Sequence, residues 1–187
     1  ETIARQTAIV GFAAIGMTYI IVRGAIDLSV GSVVAFVSVV IAWMIQVHHA
    51  DGVTASLVGI LAGCACGAVN GLMVTGLRVS PFIATLASMS VVRGLAKGLG
   101  NEQKIDVDKC PPWLKDVLAT LEPEQKWKLF PPGVWLLLAM AVAATWLLKG
   151  SVFGRNVVAC GSNEDAAYLA GVPVKRNMLA VFLIGGF

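Results

Sequence analysis

Apolar residues fall along this chain in blocks of roughly 20, the length an α-helix needs to cross a hydrocarbon core. Five such blocks run over 3–22, 25–47, 53–77, 81–99 and 133–149, and a sixth opens near Met178. The pattern predicts an all-α fold: a polytopic transmembrane helical bundle of about five complete spans plus a truncated sixth, with 1–187 as part of one transmembrane domain. Residue 1 is Glu, and the closing apolar run of ten residues, "MLAVFLIGGF", is too short to span. Both ends therefore predict a longer chain with further helices on either side.

Two polar stretches interrupt the blocks. Residues 100–132 hold 11 of the 25 charged residues, with prolines at 111, 112, 123, 131 and 132, and read as a loop outside the membrane. Within it, "WLKDVLATL" spaces Trp113, Leu114, Val117, Leu118 and Leu121 as one face of a short amphipathic helix. The second polar stretch is 150–177. Its segment "SNEDAAYLAGVPVKR" predicts a short helix: Ser162 or Asn163 caps it, Glu164 and Asp165 stand in the first turn where the helix dipole favours acids, and Gly171 and Pro173 stop it. Such a helix is either a docking element for a partner or a plain surface helix.

Composition agrees with the blocks. Hydrophobic residues make up 57% of the chain and charged residues 13%, against about 45–50% and about 25% in soluble domains. The net charge of +3 then bears on topology rather than on nucleic acid, which is not an expected partner. Lys149, Arg155, Lys175 and Arg176 gather around 150–177 and place that stretch on the cytoplasmic side. By parity Arg23 and Arg78 lie inside, while His48, His49, Asp51 and 100–132 lie outside; Arg93 and Lys97, near the outer end of the fourth span, run against the trend.

Glycine recurs every four residues in the third span, at Gly59, Gly63, Gly67 and Gly71. Helices in lipid gain little from apolar contact and associate through small residues that let backbones approach, so this face predicts a central packing seam, with a glycine-lined path as the alternative. Asp27, in "GAIDLSVGS", is costly inside a bilayer and needs a reason. Asp27 or Ser29 as a helix cap after a break at Gly24, a solute contact at a discontinuous helix, and a proton relay are the open readings. Gly31, Ser32, Asn70 and Thr85 join Asp27 and Ser29 as candidate residues of the helix break or solute path.

Metal and enzyme chemistry are not indicated. Cys64 and Cys66 stand two apart and do not share a helix face, His48 and His49 are adjacent, and Cys160 and Cys110 stand alone, so no metal site is expected. The patterns H-E-x-x-H, G-x-S-x-G and G-x-x-x-x-G-K-[ST] are absent. If ATP drives this chain, the phosphate-binding loop belongs to another subunit.

The stretches "GMTYIIVRGAIDLSVGS", "NGLMVTGLRVSPFIATLASMSVVRG" and "FGRNVVACGSNEDAAYLAGVPVKR" together resemble the permease subunits of bacterial ABC importers for monosaccharides of the ribose, xylose, arabinose and galactose type. Asp165-Ala166-Ala167-x-x-x-Gly171 is similar to that family's E-A-A-x-x-x-G signature, with Asp in place of Glu. The resemblance implies a bacterial inner-membrane, multi-pass transport subunit that is not itself an enzyme and works by alternating access. It implies a second permease subunit, a cytoplasmic ATPase subunit carrying ATP and Mg, an extracytoplasmic sugar-binding protein, and no cofactor bound by this chain. Gly161, Asn163, Glu164, Asp165, Ala166, Ala167 and Gly171 become the expected coupling residues. Related permeases carry nucleosides, autoinducer-2 or branched-chain amino acids, and an ion-coupled secondary carrier is the alternative of a different class. The family usually has a small or hydroxyl residue and Gly-Gly before I-D-L-S; here Arg23-Gly24-Ala25 stands instead.

Overall fold

The computed structural model describes residues 2–101, 113 and 131–187. Among them every regular element is a helix: α1 (Thr2–Val22), α2 (Val30–Gln46), α3 (Gly52–Gly76), α4 (Pro81–Leu99), α5 (Pro132–Gly150), α6 (Val152–Ser162), α7 (Glu164–Leu169) and α8 (Val174–Gly186). The amphipathic helix expected around Trp113 and the body of the 100–132 loop lie outside the described residues.

Among the described residues three helices are long and apolar enough to cross a membrane, α3, α4 and α5; the apolar stretches 6–22 and 30–46 are shorter. Their outer faces carry large exposed apolar side chains. Helix α5 is the extreme case: it buries only Gly133 and turns Trp135, Leu136, Leu138, Val142 and Trp146 outward. In water such a surface would drive association; in a bilayer it is the solvated face. The polar side chains on these helices mostly satisfy themselves locally. The hydroxyls of Thr18, Ser38, Thr75, Thr85 and Thr145 each donate to the carbonyl four residues back, which removes an unpaired donor from hydrocarbon.

The helix starts follow local chemistry. Asp51 caps α3, its carboxylate accepting from the Thr54 N–H at 3.2 Å and from the Thr54 hydroxyl. Those bonds hold the Asp51 carboxyl below the usual aspartate range, the hydroxyl contributing most. Pro81 and Pro132 open α4 and α5, where a missing N–H costs nothing. Ser151 caps α6 by accepting from the Gly154 N–H at 3.0 Å.

The bundle is organised around α3 and α8. Helix α8, which opens the sixth apolar block, packs most extensively against α3 and also against α1, while α2 lies on α3 and α4, and α5 lies on α1. The glycine face of α3 explains the arrangement. A Cβ at Gly63 would overlap the Gly186 carbonyl oxygen, and one at Gly67 the Phe182 carbonyl oxygen. At Gly71 it would press on Leu179, and at Gly59 on Ile41 of α2, 2.6 Å away. Across α8, Gly185 sits against α1, where a Cβ at Gly16 would lie 3.3 Å from the Gly185 Cα. Helix α8 is thus held between two glycine surfaces. Beside it Tyr19, Ile20, Ala25, Val157, Met178, Val181 and Phe182 form the buried core. The Tyr19 hydroxyl donates to the Ala144 carbonyl at 2.6 Å, tying α1 to α5.

Candidate functional site

Helix α1 ends in a Schellman motif. Gly24 adopts φ 83°, the Ala25 N–H donates to the Ile20 carbonyl at 3.0 Å, and the Gly24 N–H to the Ile21 carbonyl at 2.9 Å. Ala25 and Ile20, both in the core, supply the apolar contact that accompanies this motif. The chain then runs without helical bonds until Val30. The second apolar block therefore begins as a broken segment, and α2 starts five residues later than the hydropathy boundary at 25.

Residues of that break make a buried polar network. Asp27 Oδ1 accepts from the Ser29 N–H and from the Ser29 hydroxyl, both at 2.6 Å. The Ser29 oxygen in turn accepts from Asn70 Nδ2 of α3 at 2.9 Å. The Leu28 N–H donates to the Thr85 hydroxyl of α4 at 3.3 Å. Asp27, Ser29, Ser32, Asn70 and Thr85 are all buried, while Gly31 is exposed. Ser29 occupies the N-cap position of α2 but makes no side-chain capping bond. Asp27 does not reach the first-turn N–H groups of α2 either; it folds back on the N-cap residue itself, in an Asx turn. Its carboxylate organises the approach to α2 rather than the orphan donors of the helix.

A cavity of about 540 Å³ opens beside this network, bounded by α1, α2, α3, α5 and α8. The polar side chains in its wall are Tyr19, Asp27, Ser29, Ser38 and Asn70; the rest is apolar. Asn70 Oδ1 and Ser32 Oγ are buried and have no partner among the described residues. An apolar cleft of this size with a few convergent polar groups is the common form of a small-molecule site, for which volumes of about 300–1,000 Å³ are typical.

The other expected site residues gather at the end of the bundle where α1 stops. Asn163 caps α7, its Oδ1 accepting from the Ala166 N–H at 2.9 Å, and Glu164 and Asp165 occupy the first turn. Helix α7 ends as α1 does: Gly171 has φ 83°, the Val172 N–H donates to the Ala167 carbonyl at 3.0 Å, and the Gly171 N–H to the Tyr168 carbonyl at 2.9 Å. The Ala167 side chain turns inward, whereas Tyr168 and Leu169 are 72% and 84% exposed. Gly161 meets the end of α1: a Cβ there would overlap the Val22 carbonyl oxygen.

Arg23 joins the two regions. It is 2% exposed, and its guanidinium donates to the Cys160 carbonyl at 3.5 Å and forms an ion pair with Glu164 of α7 at 3.1 Å. In the sequence Arg23 is only a topology marker and a departure from a motif. Its carboxylate partner lies 141 residues away, and local spacing carries no trace of that.

A family model described as "Branched-chain amino acid transport system / permease component" matches residues 1–187. The chain belongs to this permease family. Among curated relatives, it is 36% identical over 181 residues to the L-arabinose ABC transporter permease protein AraH of Azospirillum brasilense, covering 97% of this chain and 51% of the relative. It is 36% identical to the L-arabinose transport system permease protein AraH of Escherichia coli strain K12 over 94% of this chain and 51% of the relative. It is 35% identical over 190 residues to the ribose import permease protein RbsC of Bacillus subtilis strain 168, covering 97% and 55%. The chain spans about half the length of the curated relatives it matches. No solved structure matches it. With its exposed apolar helices, the chain is a membrane protein.

Proposed function

We propose that this chain is part of the membrane-spanning permease subunit of an ATP-powered importer that carries a monosaccharide across the bacterial inner membrane by alternating access. The observation that carries the reading is the match, along nearly the whole chain, to permeases named for L-arabinose and ribose. The site supports it. A sugar presents many hydroxyl donors and acceptors around a weakly polar ring, and the cavity wall carries Asn70 and the Asp27–Ser29 pair on one side and apolar residues on the others. A branched-chain amino acid, the solute in the family description, carries a carboxylate for which this wall supplies no cationic side chain.

In this reading α1 to α5 are five spans, α8 opens a sixth, and the break before α2 is a discontinuous-helix site of the kind transporters use for solutes. Residues 150–177 face the cytoplasm, where α7 docks on an ATPase subunit that carries ATP and Mg. Residues 100–132 face the opposite side, towards a sugar-binding protein. A second permease subunit completes the path.

The test is uptake by the full-length permease in proteoliposomes with its ATPase and binding protein. ATP-dependent accumulation of a radiolabelled pentose, reduced in Asn70→Leu, is the expected result. Accumulation of leucine but of no sugar, or uptake that follows a proton gradient without ATP, overturns the proposal.

A further inference from the structure

Resting on the importer reading above, we propose that Arg23 is a positioning residue. Its ion pair with Glu164 transmits displacement of α7 to the broken segment 23–29 and so to the polar network facing the cavity.

Helix α7 touches little of the rest of the chain. Its neighbours are α6, which precedes it, and the start of α8. Its bonded link to the 23–29 segment is Glu164 to Arg23. The two partners are unequally placed: Arg23 is 2% exposed and Glu164 57%. A guanidinium in that position is tolerable only while its charge is met, because removing one partner of a buried pair leaves the other uncompensated. Its Nε has no partner among the described residues, so the Glu164 carboxylate and the Cys160 carbonyl are the acceptors that hold it. A shift of α7 that withdraws Glu164 is therefore opposed unless Arg23 follows.

Following has consequences, because Arg23 is the last residue before the Schellman glycine. From Arg23 the backbone passes in four residues to Asp27, which holds Ser29, which holds Asn70 of α3, while Leu28 holds Thr85 of α4. Close backbone packing of Gly161 on the Val22 carbonyl keeps the end of α6 seated on the end of α1, so the same region carries both a contact of main chain and a contact of charge. The break has no helical bonds of its own to resist the motion, which makes it the compliant part of the connection. The usual small residue before Gly would leave this link unmade.

The experiment uses the full-length permease with its ATPase and binding protein in nanodiscs. The variants are Arg23→Gln, Glu164→Gln, Arg23→Lys, and Arg23→Glu combined with Glu164→Arg. Arg23→Gln is expected to keep complex assembly and basal ATP hydrolysis, and each neutral single variant, measured per assembled complex, to lose about tenfold in the stimulation of hydrolysis by loaded binding protein, in the usual range of coupling between two sites. The charge-reversed pair and Arg23→Lys are expected to recover most of it, a rescue that simple loss of packing would not give. If either neutral variant fails to fold, the charge-reversed pair, which meets both charges, carries the test. Normal stimulation in Glu164→Gln, or a reversed pair no better than its single variants, overturns the role of the pair. Failure of the unmodified chain to assemble with an ATPase at all sinks the importer reading instead.

Discussion

At the scale of single residues, Asp27 is the informative case. A carboxylate between two apolar blocks needs a structural or functional reason, and the bonds to Ser29 supply the structural one without using both oxygens. The two substitutions that separate the roles are Asp27→Asn and Asp27→Leu. An asparagine keeps an acceptor for the Ser29 N–H and hydroxyl, so its thermal unfolding in detergent should match that of the natural chain. Leucine leaves the buried Ser29 N–H unmade and should cost roughly 1–3 kcal/mol, the usual penalty for a stranded buried donor. Reduced uptake in the stable asparagine variant identifies the charge as a solute contact. Arg23 shows the limit of residue-level reading. Its burial comes from the turn that Gly24 makes and from a helix that arrives 141 residues later, and no local rule reports either.

At the scale of helices, the apolar blocks predicted α3, α4 and α5 to within a residue at each end, because hydropathy and punctuation by Asp51, Pro81 and Pro132 agree there. They missed the late start of α2, where hydrogen bonding from the break to α3 and α4 outweighs an uninterrupted apolar run. They missed α6 within the polar stretch 150–177, although Gly154, Val157 and Cys160 recur every third residue and are the residues it buries. The glycine repeat of α3 was legible, but its main partner was not: α8 is a short apolar run whose own glycines fall at its end. Gly67→Ala forces a Cβ into the Phe182 carbonyl, and main chain cannot rotate aside, so a loss of roughly 1–3 kcal/mol is expected, as for other overpacked sites. Gly94→Ala in α4 meets open space and should gain up to about 1 kcal/mol from helix propensity. Parallel thermal unfolding of the two variants checks the contrast; equal effects would mean that α3 and α8 do not meet through backbone.

At the scale of the whole molecule, the chain presents two kinds of exposed apolar surface. The flanks of α3, α4 and α5 are broad and match a bilayer in extent. Tyr168 and Leu169 stand apart from them, on a six-residue helix bordered by Glu164, Asp165, Lys175 and Arg176. A small apolar tip within a charged rim has the anatomy of a protein contact rather than of a lipid one. On the importer reading, Leu169→Asp in the full-length permease should therefore abolish co-purification with an ATPase subunit while leaving the thermal unfolding of the bundle unchanged. Retained co-purification would move the docking surface elsewhere.

The seam between α3 and α8 has one more property. Gly63, Gly67 and Gly186 meet main chain to main chain, so closing that stretch of it freezes no rotamers, and the conformational entropy that opposes most side-chain packing is absent there. A stretch of contact with no rotamers also has nothing to re-pack under load. Whatever rearrangement this molecule undergoes, α3 and α8 should travel together like a keyed shaft, and the elements that change places should be the ones joined by side chains.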